Sequence, residues 1–229
     1  APVRRDPVPP PRWQAPPLPR PERARRGRAL PYQPLIAPRS TAAVLQAALS
    51  REIADGEPDI PAAVEMLARC RPLDRLPRRP DRTLRFGVQV LVDHGSGMQP
   101  FLRDQDELVT RVQNTVGHER TQVMHFEDSP LLGAGCGPRW SWGDYRPPTP
   151  GTPVLALTDL GLGGPAPWPR RGSRREWERL AKGLRRAGCP MVVFLPYPRH
   201  RWPTWAADAM RLVPWDRHTT VGWVGTHAR

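Results

Sequence analysis

The sequence predicts an α/β fold in which a mainly parallel, open sheet carries helices on both faces. Three short runs carry this prediction: "VQVLVD" ending at Asp93, "VLALTD" ending at Asp159, and "MVVFL" at 191–195. The runs are mainly apolar at successive positions, the first of them toward its end, as is typical of strands that are buried on both faces of a parallel sheet. Helical patterns lie between the runs, and strands that alternate with helices along a chain indicate a parallel sheet.

The segments ahead of this sheet predict an extended arm and two short helices. Residues 1–39 are rich in proline and arginine, which disfavours long helices and strands, so we expect an extended arm. Ser40 is a candidate N-cap for a helix that Gly56 ends, and "DIPAAVEMLARC" predicts a second helix. An extended linker then completes a predicted helical segment over 40–82.

The remaining stretch, 83–229, predicts the α/β domain itself, a Rossmann-like arrangement because strands and helices alternate along it. The sequence first predicts a strand over "TLRFGVQVLVD", a helix that Gly117 ends and a strand over "TQVMHFED". It then predicts an irregular stretch over 129–153, a strand over "VLALTDLG" and a helix with a Ser173–Glu176 capping box. The last predicted elements are a strand over "CPMVVFLPYP", a short helix over "WPTWAADAMRL" and an edge strand over "VPWDRHTTVGWVG".

The charge balance is strongly basic. With 35 Lys+Arg against 22 Asp+Glu, the 229 residues carry a formal net charge of +13, which favours anionic partners such as nucleic acid. A second interpretation is codon bias in a GC-rich genome, since Lys182 is the only lysine. If a nucleic acid binds, the basic arm at 1–39 is the expected contact.

The sequence lacks the motifs that mark several classes of protein. The three cysteines are widely spaced and form no Cys/His cluster, so neither a zinc site nor a disulfide framework is indicated, and a cytoplasmic protein is expected. No apolar run is long enough to cross a membrane. Ser96 has glycines immediately on both sides rather than the G-x-S-x-G of a nucleophile elbow, and no Walker pattern occurs.

Two aspartates follow predicted central strands. Asp93 ends the first, and Asp159 ends the strand over "VLALTDLG". In open α/β sheets ligands bind at the carboxyl ends of strands, so both carboxylates are expected in one crevice.

The motif Asp93-His94-Gly95-Ser96-Gly97, followed by an amphipathic helix and a later "ALTDLG", resembles a von Willebrand factor A domain over roughly residues 83–216. The resemblance implies a Mg²⁺ site built on a D-x-S-x-S motif, a threonine and a late aspartate. Asp93 and Asp159 match the two aspartates, whereas Gly95 and Gly97 stand at the serine positions.

The departures from the motif imply a degenerate metal site. The candidate metal ligands are Asp93, Ser96 and Asp159, and Thr149 and Thr152 are candidates for the threonine. Because Mg²⁺ requires near-octahedral oxygen coordination, the missing hydroxyls predict a weak site or none. The alternative is that Asp93 is a structural turn residue that accepts backbone N–H groups at the start of the next helix.

These observations predict a non-enzymatic interaction or scaffold module of a bacterial multi-protein assembly. The stretch "FLPYPRHRWPTWA" is similar to A-domain proteins found beside MoxR-type AAA+ ATPases and in conflict systems, so the resemblance implies other protein subunits, including an AAA+ ATPase, as partners. The loops at the site edge supply the candidate partner-binding residues Trp140, Trp142, Arg170 and Arg171. The alternatives are nucleic-acid association through 1–39 and a metal-dependent hydrolase that uses Asp93 and Asp159.

Overall fold

Strands and helices alternate along the part of the chain that the computed structural model describes, residues 32–164 and 172–226. The elements are α1 Pro38–Leu49, β1 Arg51–Ile53, α2 Ile60–Ala68, β2 Asp81–Thr83, β3 Val88–Asp93, α3 Leu102–Val116, β4 Thr121–Phe126, β5 Ala134–Gly135, β6 Val154–Leu157, α4 Arg174–Arg186, β7 Met191–Leu195, α5 Thr204–Ala209, β8 Arg211–Pro214 and α6 Val221–Thr226. Of the predicted arm, residues 1–31 lie outside the described residues, and the described residues from Pro34 onward form one compact unit.

Six strands form the main sheet, in the order β5-β4-β3-β6-β7-β8. All neighbours are parallel except the short β5, which runs antiparallel to β4. A separate two-stranded antiparallel sheet pairs β1 with β2. The prediction of a mainly parallel α/β sheet is therefore confirmed.

The hydrophobic core lies on both faces of this sheet. On one face, Val90 and Val92 of β3 pack in a cluster with side chains of α1, α3 and α6. On the other face, Leu91 belongs to a second cluster with side chains of α4 and α5. Neighbouring residues of a strand thus enter different layers, which explains why the central strands are apolar at successive positions, as in Val90-Leu91-Val92.

Arg211, the first residue of the edge strand β8, joins two helices on one face. Its guanidinium donates hydrogen bonds to the carbonyl of Ala48 near the end of α1, at 3.3 Å, and to that of Val224 in α6, at 2.6 Å. Carbonyls in the last turn of a helix lack partners within the helix, and a cation there also complements the helix dipole. Arg211 therefore fixes α1 and α6 to the edge of the sheet.

The structure corrects the predicted boundaries ahead of the sheet. Helix α1 begins at Pro38 and not after Ser40, whose hydroxyl instead bonds the Ala37 carbonyl at 3.0 Å, and proline is favoured in the first turn. The helix ends at Leu49, because the residues before Gly56 form strand β1.

Two predicted strands also change. The strand predicted from Thr83 starts at Val88, because a turn closed by Gly87, with φ +67°, interrupts it. The last strand, predicted over 213–225, is wrong over most of its length: β8 shares only its first two residues and begins inside the helix predicted over 202–212. Helix α6 follows where the Thr220 hydroxyl accepts the Trp223 N–H.

Candidate functional site

The two candidate aspartates meet at the carboxyl edge of the sheet, as predicted. Asp93 is the last residue of β3, and Asp159 follows β6 by two residues. Strands β4 and β6 flank β3 on opposite sides, so the chain reverses its direction across the sheet at this point. This is the topological switch point, where ligands of open α/β sheets bind.

Asp93 is buried, and both of its carboxylate oxygens accept hydrogen bonds. Oδ1 accepts the backbone N–H groups of Gly95, at 2.8 Å, and Asp128, at 3.2 Å. Oδ2 accepts the hydroxyl of Thr158 at 2.5 Å. These donors come from the segments that follow β3, β4 and β6, so the one carboxyl group links three loops.

The same burial changes the protonation of Asp93. Its pKa is raised to about 7, chiefly by loss of hydration. The charge of Asp159 also raises the pKa, whereas the hydrogen bonds from Thr158, Gly95 and Asp128 lower it. The carboxyl group is therefore close to half protonated at neutral pH.

Asp159 is also buried and bonded to its own loop. Its Oδ1 accepts the N–H of Gly161 at 2.9 Å, and its Oδ2 accepts that of Gly163 at 2.6 Å. Such bonds from an aspartate to the backbone that follows it shape a tight turn.

Glycines allow this turn to pack directly on the loop after β3. A Cβ added at Gly97 would stand 1.9 Å from Oδ2 of Asp159. A Cβ at Gly163 would stand 2.4 Å from the Tyr197 hydroxyl oxygen, and one at Gly95 would stand 2.9 Å from Oδ1 of Asp93. A serine at position 97 does not fit this arrangement, because Asp159 occupies the space that the serine side chain would need.

The hydroxyl residues do not occupy the predicted positions. Thr149 and Thr152 precede β6 and thus lie toward the amino ends of the strands, where the Thr152 hydroxyl bonds the Phe86 carbonyl at 3.2 Å. Thr158 is the threonine at the site, and sequence reasoning missed it. Ser96 directs its Oγ toward Gly164, where an added Cβ would stand 2.5 Å away.

These groups do not fit the octahedral Mg²⁺ site that the resemblance implies. The oxygens of Asp93 and Asp159 already accept donors from the chain, and the described residues contain no group of three or more His, Cys, Asp and Glu side chains able to hold a metal. The hydrolase alternative gains no support from this geometry, because both carboxylates are buried.

A pair of histidines borders the site. Nε2 of His94 and Nδ1 of His125 lie 2.8 Å apart, a contact set by the pairing of β3 with β4. Burial lowers the pKa of both rings; the neighbouring His94 lowers that of His125 further, and the Asp106 carboxylate acts against both shifts. Sequence reasoning noted His94 alone, since its partner depends on the strand register.

The predicted partner-binding tryptophans differ in exposure. Trp140 is 88% exposed, whereas Trp142 is half-buried and donates its Nε1–H to the Gly137 carbonyl at 2.9 Å. The neighbouring Arg139 forms an ion pair with Glu127, which directly follows β4, so this segment lies at the carboxyl edge of the sheet. Arg170 and Arg171 lie outside the described residues.

Comparisons with models of known protein families, with curated proteins and with solved structures found no match. Among the described helices, none combines the length and the apolar character that spanning a membrane requires.

Proposed function

We propose that this chain is a non-enzymatic interaction module, a von Willebrand A-like domain with a degenerate metal site that works as a scaffold in a cytoplasmic bacterial assembly. The support comes from the switch point, where Asp93 and Asp159 bond the chain's own donors. These bonds stabilise the loops that follow β3, β4 and β6, and the outer surface of the loops is then available to bind a partner. An AAA+ ATPase is the partner class that the resemblance implies.

The exposed Trp140 carries the proposal. Its ring is 88% exposed, and Leu132, in the same segment after β4, is 61% exposed. Tryptophan is enriched among the residues that dominate binding energy, so a tryptophan exposed to this degree supports a partner-binding role. The Arg139–Glu127 ion pair shows that this surface lies at the carboxyl end of β4, the strand next to β3 at the switch point.

Site-specific photo-crosslinking in the source cells tests the proposal. A photoreactive amino acid at position 140 should crosslink to a discrete protein, and the same group at the exposed Arg186 on α4 should not. Trp140→Ala should abolish copurification of the crosslinked protein and leave the melting temperature unchanged. Equal crosslinking at both positions, or copurification that survives Trp140→Ala, would contradict the proposal.

A row of cations on α4 favours a second candidate function, the binding of nucleic acid. Arg175, Arg179, Lys182 and Arg186 are exposed at helical spacing and form one face about 16 Å long. The acidic residues of this helix have other partners, because Glu176 closes the capping box. Glu178 pairs with Arg174 at 2.6 Å. A phosphate backbone fits such a face.

The salt dependence of binding tests this candidate. Replacing the four cations by glutamine should weaken binding to a labelled DNA duplex and flatten the plot of log affinity against log salt concentration. A duplex affinity that is unchanged in this variant would contradict a role for α4. Loss of binding on deletion of residues 1–31 alone would assign it to the arm instead.

A further inference from the structure

Helix α2 lies at the tip of a two-stranded stalk. Beyond the paired strands β1 and β2, the N–H of Gly56 donates to the Arg79 carbonyl at 3.0 Å, and the N–H of Asp59 donates to the Pro77 carbonyl at 2.7 Å. The stalk is thus paired along its length up to Asp59, the residue just before the helix. It presents α2 as an ordered element.

One face of α2 is apolar and exposed. Ile60, Val64 and Leu67 are 57%, 58% and 59% exposed, and their spacing of four and three residues places them on one side of the helix. Ala63 is the buried residue of α2, whereas α3 and α4 each bury four. Three exposed aliphatic side chains in a row indicate a surface that a partner covers.

The charges around this face are arranged so that the face complements itself. Glu57 and Asp59 precede the helix, and the Asp59 carboxylate also caps it by accepting the Ala62 N–H. Arg69, which also pairs with Glu65, and Arg71 follow the helix. If two copies of α2 pack antiparallel about a two-fold axis at Val64, Asp59 of each lies near Arg69 of the other, and Glu57 lies near Arg71. Ile60 then packs against Leu67, and Val64 meets its own copy.

We propose that α2 is a homodimer interface whose occupant is a second copy of this chain in that antiparallel arrangement. A two-fold interface uses the same patch on both subunits, so a self-complementary patch is the expected signature. The face offered by nine residues is small, and the dimer belongs with weak, transient complexes. This surface is separate from the one around Trp140, so either proposal can fail alone.

Disulfide crosslinking of single-cysteine variants tests the geometry. In a background with Cys70→Ser and Cys136→Ser, Val64→Cys should form a covalent dimer on oxidation, because this residue lies on the axis. Ile60→Cys alone and Leu67→Cys alone should not, whereas a mixture of the two should crosslink. Equal crosslinking of all three single variants would indicate parallel helices and overturn the proposal.

Sedimentation velocity over a range of protein concentrations tests the association itself. The native chain should show a dimer that grows with concentration, and Val64→Glu should remain monomeric with an unchanged melting temperature. A chain that stays monomeric at the highest soluble concentration, with no Val64→Cys crosslink, would overturn the proposal. A native monomer that dimerises only after deletion of residues 1–31 would also overturn it, because the arm would then be the occupant.

Discussion

Thr158 donates a 2.5 Å hydrogen bond to Asp93 and thereby joins the carboxyl ends of β6 and β3. The other carboxylate oxygen of Asp93 accepts N–H groups from the loops that follow β3 and β4. The side chain that the sequence marks as a candidate metal ligand is thus a buried cross-link between loops. This relationship makes the protonation of Asp93 a determinant of stability.

We predict that Asp93→Asn stabilises the protein at neutral and alkaline pH. Because the pKa of Asp93 is raised to about 7 in the folded state, folding binds a proton between about pH 4 and pH 7, and stability falls as the pH rises through this window. The loss amounts to at most about 4 kcal/mol. Asparagine can donate to Thr158 and is never charged, so the variant lacks this loss.

Urea unfolding at a series of pH values measures the effect. The stability of Asp93→Asn relative to the native chain should grow from about pH 4 and level off above about pH 7. The His94–His125 pair, with its lowered pKa values, makes both proteins lose stability as the pH falls, so its contribution cancels in the difference. Asp144→Asn controls for the loss of one exposed charge. A difference that does not change with pH would contradict the role given to Asp93.

Two glycine-to-alanine substitutions should have opposite effects. Gly97→Ala places a Cβ 1.9 Å from Oδ2 of Asp159, which its own loop holds in place, so we expect a loss of about 3 kcal/mol in the free energy of unfolding. Gly183→Ala, inside α4 and facing open space, should instead add about 0.5–1 kcal/mol. Chemical denaturation measures both, and a Gly97→Ala variant as stable as the native chain would show that the two loops are not packed as described.

Removal of the Arg211 guanidinium should loosen α6. Arg211→Met leaves the carbonyls of Ala48 and Val224 without their charged donor, and we expect a cost of about 2–3 kcal/mol. Amide hydrogen exchange should accelerate in α6 more than in α3. The exposed Arg146→Met serves as control, and equal effects of the two substitutions would contradict the bridging role.

The central strands and α4 could be predicted because their signals are local. Burial on both faces makes β6 and β7 apolar throughout and β3 apolar at four of its six positions, and the Ser173–Glu176 capping box marks the start of α4. The placement of Asp93 and Asp159 at one edge followed from the order of the strands.

The rest of the site depends on contacts between distant segments. Thr158 lies inside an apolar run, and its role appears only when β6 pairs with β3. The contact between His94 and His125 requires the β3–β4 register. Residues 51–53 form strand β1 because they pair with β2, which lies about 30 residues later in the chain. The local sequence predicts a helix that continues through this segment, and it could not reveal the pairing.

Thermal unfolding with and without Mg²⁺ tests the central claim most directly, namely that the carboxylates at the switch point serve structure and not metal binding. The native chain, Asp93→Asn and Asp159→Asn would each be measured in EDTA and in millimolar Mg²⁺. We predict that Mg²⁺ shifts the melting temperature of all three proteins equally, because Asp93 and Asp159 are bonded to Thr158 and to backbone N–H groups. A Mg²⁺-dependent rise in the native chain that both variants lack would contradict the account.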